Sequence, residues 1–224
     1  MYSLKIFNKA HESLAFLINY FDIKKMHVPY YLCDVVRHTI VKSGCKPEFY
    51  HVNDYFVPSV EFDRESYVLY PNYFGICDKN VSDLSKIYPN LIVDNAHAFF
   101  SAPCGLACFN SAYKFGLGDF SCLQIREEFG SKEKIGLYEE EKKKRVKAFQ
   151  ELDKKYSKTN LLNIDKNSVP FCYPYLAQTE EQADKLVREL KKQGMTVFRY
   201  WNPLPESFNE YKFYSRLVPI PIGQ

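Results

Sequence analysis

The 224-residue chain has nine glycines and no G-x-G-x-x-G segment. That leaves few positions where a glycine-rich loop could bring backbone close to a phosphate. Gly116-Leu117-Gly118 is a lone fragment that follows no convincing strand, so it carries little weight. No apolar run approaches the roughly 20 residues that a membrane-spanning helix needs. Met1-Tyr2-Ser3-Leu4-Lys5 lacks the pattern of a secretory signal. A soluble cytoplasmic protein is the expectation, with no membrane partner. The net charge of +3 is small, and Lys and Arg are mixed with Asp and Glu. No basic stripe is left to argue for nucleic acid. Seven cysteines are scattered without paired spacing. Cys104 and Cys108 stand four apart, but no matching Cys/His pair completes a zinc site. Reduced buried thiols and no metal are expected.

Aromatic residues are abundant, with 18 Tyr and 18 Phe making most of a 17% share, and apolar residues reach 46%. Such a chain buries a real core, as one large domain or a medium domain with a small companion. Residues 8–22 carry Leu14, Leu17, Ile18 and Phe21 at helical spacing, with Asn8 as candidate N-cap. Met26–Pro29 is predicted as a strand. A helix follows with Val35, Val36, Thr39 and Ile40 inward, stopped by Gly44. Pro47–Val52 and Val68–Tyr70 are predicted strands. Val81, Leu84 and Tyr88 mark a helix that ends before Pro89. Strands alternating with helices predict a parallel sheet with crossover helices.

Leu91-Ile92-Val93 is an apolar, β-branched run ending in Asp94, the pattern of a strand buried on both faces. Strand C-termini line the ligand crevice of open α/β sheets, so Asp94 is placed to meet a ligand. Lys114 follows 114 − 94 = 20 residues later, among aromatic and small residues. Burial lowers an ammonium pKa and makes the amine a usable nucleophile. An Asp ending a strand and a Lys about twenty residues on is an arrangement found in pyridoxal phosphate enzymes. There the Lys forms an imine with the cofactor, and the Asp keeps the pyridine nitrogen protonated.

Past the Lys, Phe120–Ile125 is predicted as a strand. A charged connection runs from Arg126 to Gly136, and Glu139–Phe149 is predicted as a helix. Its Glu139–Lys143, Glu140–Lys144 and Glu141–Arg145 pairs have the favoured orientation, which makes Lys142-Lys143-Lys144-Arg145 a solvated helix face. Residues 169–176 suggest an edge strand because of their prolines. Thr179 opens a capping box with Gln182, on a helix with Ala183, Leu186, Val187 and Leu190 inward and Gly194 as stop. Met195–Arg199 is predicted as the next strand.

The segments Asp94-Asn95-Ala96-His97-Ala98-Phe99-Phe100-Ser101 and Ser111-Ala112-Tyr113-Lys114-Phe115 resemble the DegT/DnrJ/StrS family of sugar aminotransferases. Val28–Cys33, Tyr70–Gly75, Tyr200–Pro205 and Pro219–Ile222 extend the likeness. The resemblance implies a three-layer α/β domain with a mostly parallel sheet (the fold type I, aspartate aminotransferase architecture) over residues 1–136. A small α+β domain over 137–224 would follow. It implies pyridoxal 5'-phosphate as cofactor and transfer of an amino group, usually from glutamate, to a keto-sugar nucleotide. The setting would be surface polysaccharide synthesis such as that of lipopolysaccharide, and the enzyme a homodimer.

On that resemblance, Lys114 binds the cofactor and shuttles the proton, and Asp94 stabilises the pyridinium. Ser111 and the helix start at Lys9-Ala10-His11 hold the phosphate. The family has a small-residue turn with glycine there and this chain has Ala10, so a plain helix start remains the alternative. Tyr31 would stack on the ring, or is a core tyrosine. His97 would pack near the ring and tune its oxygen, or is a structural histidine. Gly118-Asp119-Phe120-Ser121 departs from the family's Asp-Gly-Gly-like turn, and the chain is short for the family.

Two rival constellations are weaker. Ser111-x-x-Lys114 lacks the companion motifs of the serine–lysine enzymes. Asp94 and His97 have no cysteine with a supporting motif to complete a nucleophilic triad. A shortened chain without catalysis, serving as a structural or partner-binding protein, is the other class of function. A lyase or dehydratase on the same cofactor is a third.

Overall fold

The computed structural model describes residues 1–126, 138–164, 169–201 and 203–222. The expected domain boundary near Gly136 lies outside the described residues.

A seven-stranded sheet organises the chain. Its strands are β1 (Tyr2–Phe7), β2 (Lys25–Pro29), β3 (Lys46–Tyr50), β4 (Val68–Pro71), β5 (Leu91–Asn95), β6 (Ala107–Asn110) and β7 (Ser121–Arg126). The order is β1-β7-β6-β5-β4-β2-β3. The five strands from β6 to β3 run parallel, while β7 pairs antiparallel with both β6 and β1. The result is a mostly parallel α/β sheet, as the alternating pattern predicts.

Strand alternation sorts side chains into two layers. Leu69 and Ile92 face one way and join Leu14, Leu17 and Ile18 of helix α1 (Ala10–Tyr20) and Val36 and Ile40 of α2 (Asp34–Lys42). Val68, Tyr70, Leu91 and Val93 face the other way, onto Val81 and Leu84 of α3 (Asp78–Ile87). That second layer also takes Phe213 of α6 (Tyr211–Arg216) and Leu217. A third cluster joins Phe149 of α4 (Glu139–Tyr156), Ala183 and Leu190 of α5 (Glu180–Lys192), and a two-stranded antiparallel sheet. That sheet pairs β8 (Cys172–Leu176) with β9 (Leu217–Pro221).

Several sequence expectations need correction. Met195–Arg199 is irregular, because the strand that pairs with β8 is β9, at the far end of the chain. Helix α1 is capped at Lys9, not Asn8, since the Glu12 carboxylate reaches back to accept both the Asn8 and Lys9 N–H groups (3.1 and 3.3 Å). Val35 is 52% exposed, so α2 turns Val36 and Ile40 inward without it. Helix α4 runs on past Phe149 because Leu152 and Tyr156 continue its apolar stripe against β8. Arg145 is buried and not on a solvated face, with its guanidinium over the Phe115 ring. Strands β1 and β6 have no counterpart in the sequence reading.

Candidate active site

Parallel strands end on one edge of the sheet, and five chain segments leave that edge. Those that meet at one place follow Pro29, Pro71, Asn95 and Asn110, while the fifth, after Tyr50, leaves at the sheet's end. Such an edge is where open α/β sheets bind ligands.

Asp94 is held there from both sides. Its backbone carbonyl accepts the Asn72 N–H at 2.9 Å, and its Oδ1 accepts the Ala96 N–H at 2.8 Å. The second bond turns the chain sharply after β5, as Asp side chains do at turns. Beyond β6, the Ala112 N–H bonds to the Phe120 carbonyl at 2.9 Å and a single helical turn over Tyr113–Phe115 ends at Gly116. Lys114 sits on that turn.

Asp94 and Lys114 share the wall of one hollow of about 220 Å³. Lys9, Ala10, His11, His97 and Ser111 line the same hollow. The structure thus brings together every site residue expected from the sequence except one. Tyr31 is 1% exposed and outside the wall, with its hydroxyl donating to the Tyr200 carbonyl at 2.6 Å and its ring stacked on Tyr73. The chain turns inward after Pro29, so Cys33 and Val36 reach the hollow and Tyr31 enters the core.

Burial sets the electrostatics. It pushes the Asp94 carboxyl above its ordinary value, against the opposing pull of the Ala96 N–H and the Lys114 charge. Burial likewise pushes the Lys114 amine below its ordinary value, with Asp94 opposing. His97 is pushed well below the usual imidazole value by burial and by the nearby Lys114 charge, so it is neutral at pH 7. Its ring lies nearly parallel to Phe171 (centroids 4.6 Å apart, 12°) and to Trp201 (5.7 Å, 13°). Its Nε2 is buried with no hydrogen-bond partner among the described residues.

Asn72, Tyr73 and Trp201 also line the hollow, although the sequence reading assigned them no role. Asn72 is the informative omission. Its Nδ2 donates to Asp78 Oδ1 (2.7 Å) and Asn95 Oδ1 (3.2 Å), and its Oδ1 accepts the Cys77 N–H (3.0 Å). This ties the turn after β4 to the end of β5 and the start of α3. Its position directly after a strand in a parallel sheet was the available signal.

A second, wider cleft of about 730 Å³ opens beside the hollow, and Lys114 is the residue common to both walls. Among the described residues no group of three or more His, Cys, Asp or Glu could hold a metal ion, and no helix is long and apolar enough to cross a membrane.

No family model matches the chain, and no curated protein matches it significantly in sequence. Solved structures do match. A DegT DnrJ EryC1 StrS aminotransferase from Brucella abortus superposes with a TM-score of 0.75 at 12% identity, covering 98% of this chain and 80% of that one. PseC of Helicobacter pylori, an aminotransferase involved in the biosynthesis of pseudoaminic acid, gives 0.70 at 14%, covering 98% and 81%. DesV of S. venezuelae gives 0.71 at 13%, covering 98% and 79%. The chain has the fold of the DegT/DnrJ/EryC1/StrS aminotransferases.

Proposed function

We propose that this chain is a pyridoxal-phosphate-dependent aminotransferase that delivers an amino group to a keto-sugar nucleotide for surface polysaccharide synthesis. In this reading glutamate is the donor, the enzyme is a cytoplasmic homodimer, and residues 1–136 and 137–224 are its large and small domains. The observation that carries the reading is the meeting of Asp94 and Lys114 in the wall of one hollow.

The residues present suit a flat, anionic heteroaromatic cofactor. Asp94 offers a buried carboxylate to a cationic ring nitrogen, and that charge would relieve the burial that now raises its pKa. His97 offers a flat neutral ring and an unpartnered Nε2. Ser111 offers a hydroxyl and Lys9 a charge. Ala10 and His11 open α1, whose first N–H groups have no acceptor within the helix and favour an anion. When bound, the cofactor supplies an aldehyde that condenses with amines and a ring that takes up electrons.

The chain's own groups then divide the work. Lys114 Nζ, less basic than an exposed lysine, is the more readily deprotonated amine and would serve as nucleophile and proton carrier. Asp94 would hold the positive ring nitrogen, and Lys9, Ser111 and the α1 start would hold the phosphate. Trp201, Tyr73 and the stacked His97 give the hollow an aromatic wall.

One feature favours a second reading, a protein of the same fold without catalysis. Ala10 stands in the hollow's wall where the resembled family has a glycine-containing turn. Absorbance separates the two. Purified protein with added pyridoxal phosphate is expected to gain a visible band that Lys114→Ala abolishes. Identical spectra for wild type and variant would overturn the enzyme reading. Glutamate is then expected to bleach the wild-type band. A band that glutamate leaves unchanged would point to a lyase or dehydratase instead.

A further inference from the structure

Asp94 and His97 reach the hollow from one short stretch of chain, residues 94–101, and both ends of that stretch are tied to the same carboxylate oxygen. At the near end, Asn72 donates its backbone N–H to the Asp94 carbonyl at 2.9 Å and its Nδ2 to Asn95 Oδ1 at 3.2 Å. The same Nδ2 donates to Asp78 Oδ1 at 2.7 Å. At the far end, Ser101 Oγ donates to Asp78 Oδ1, also at 2.7 Å. Between the ends the chain folds through two turns, with the Ala98 N–H on the Asn95 carbonyl (2.8 Å) and the Ser101 N–H on the Ala98 carbonyl (3.0 Å). Asn72 is buried, and its Oδ1 accepts the Cys77 N–H at 3.0 Å. Its amide therefore has one orientation, because a flip would set donor against donor and acceptor against acceptor.

Asp78 opens α3, is half-buried and lies outside the hollow's wall. Bonds to an ionised acceptor are shorter and stronger than those to a neutral one. Helix α3 is itself seated on the sheet through Val81 and Leu84, so this oxygen is a fixed point against which the loop is set. We propose that Asp78 is a positioning residue of the site. Acting through Asn72 and Ser101, it holds residues 94–101 in place, and with them the Asp94 carboxylate and the His97 ring. An acidic residue in a helix's first turn stabilises that helix by charge alone, but this would need neither Ser101 nor Asn72. The inference deepens the proposed function and rests on it only for what the hollow binds.

Amide hydrogen exchange in the purified full chain, without cofactor, reads the loop directly. Asp78→Ala is expected to speed exchange in the 94–101 peptide by about tenfold, the loss of a charge-assisted bond. Ser101→Ala, which cuts one arm, is expected to shift the same peptide in the same direction by less. Asp78→Asn keeps the acceptor oxygen without the charge and is expected to restore most of the protection. Asp83→Ala, on the same helix and paired with the exposed Lys79 and Lys86, is expected to leave the loop unchanged. Ser101→Ala carries the test should Asp78→Ala fail to fold. Unchanged loop exchange in either arm variant, or exchange quickened equally in the loop and throughout α3, would overturn the proposal. Titration with pyridoxal phosphate, followed by the visible band, then separates the two readings. Asp78→Ala is expected to bind about tenfold more weakly, and Asp78→Asn nearly as well as wild type. A band held as tightly by Asp78→Ala as by wild type sinks the positioning role and leaves the cofactor standing. A loosened loop with no band in any variant sinks the cofactor and leaves the hold of Asp78 on the loop standing.

Discussion

His97 shows how a single side chain reports on the site before any ligand is added. The folded protein keeps its imidazole neutral, because burial and the Lys114 charge both oppose protonation. The unfolded chain does not, and takes up a proton below its ordinary pKa of about 6.5. Stability is therefore full above that pH and falls as the pH drops through it, by up to about 1.4 kcal/mol per pH unit from this group. His27 is also lowered by burial and adds a slope of the same sign. Urea midpoints measured at pH 7 and pH 5 should converge in His97→Gln relative to wild type. An unchanged slope would mean that His97 titrates normally. Gly75 makes a second point at this scale. Its φ of +76° is in the left-handed region, and a Cβ there would lie 2.4 Å from the His97 carbonyl oxygen. Gly75→Ala should cost more than about 2 kcal/mol in urea unfolding, because neither backbone can yield without moving the hollow.

Among the elements, local chemistry decided what could be anticipated. Helix α5 is written by its cap, where Thr179 accepts the Gln182 N–H at 3.2 Å. Thr179→Ala should cost about 1 kcal/mol, measured as a lower urea midpoint. Strands β4 and β5 are legible because both faces are buried and every residue from Leu91 to Val93 is apolar. Strand β1 is not, since it is a half-exposed edge with Lys5 and Ile6 outward, and its partner β7 lies more than a hundred residues away. Met195–Arg199 misleads for the opposite reason. Val197 is buried and Phe198 exposed, so the segment alternates like a strand, but the ladder on β8 is built by β9. Periodicity reports which face is wet and says nothing of which strand is the neighbour.

The same division runs through the site as a whole. Asp94 and Lys114 are readable because a charge at the end of an apolar strand, or among aromatics, has few structural explanations. Tyr31 misleads because in a chain with 18 tyrosines an aromatic after a strand is as easily core as site. Arg145 was hidden by its neighbours, three lysines that make its helix face look solvated. At this scale, contacts distant in sequence also join the C-terminal segment to the sheet. Glu210, fully buried before α6, accepts the Val52 N–H at 2.6 Å and lies 3.0 Å from His51 Nδ1, while Asn209 donates to the Val52 carbonyl at 3.1 Å. Glu210→Ala should cost about 2–3 kcal/mol by losing a charged hydrogen-bond partner and leaving a buried N–H unmet.

The proposed function depends on one amine in one hollow, and borohydride interrogates that amine directly. Protein mixed with pyridoxal phosphate, reduced and digested should carry the phosphopyridoxyl mass on the peptide containing Lys114, and Lys114→Ala should carry none. Label spread over the exposed lysines of α4, with Lys114 unmodified, would contradict it.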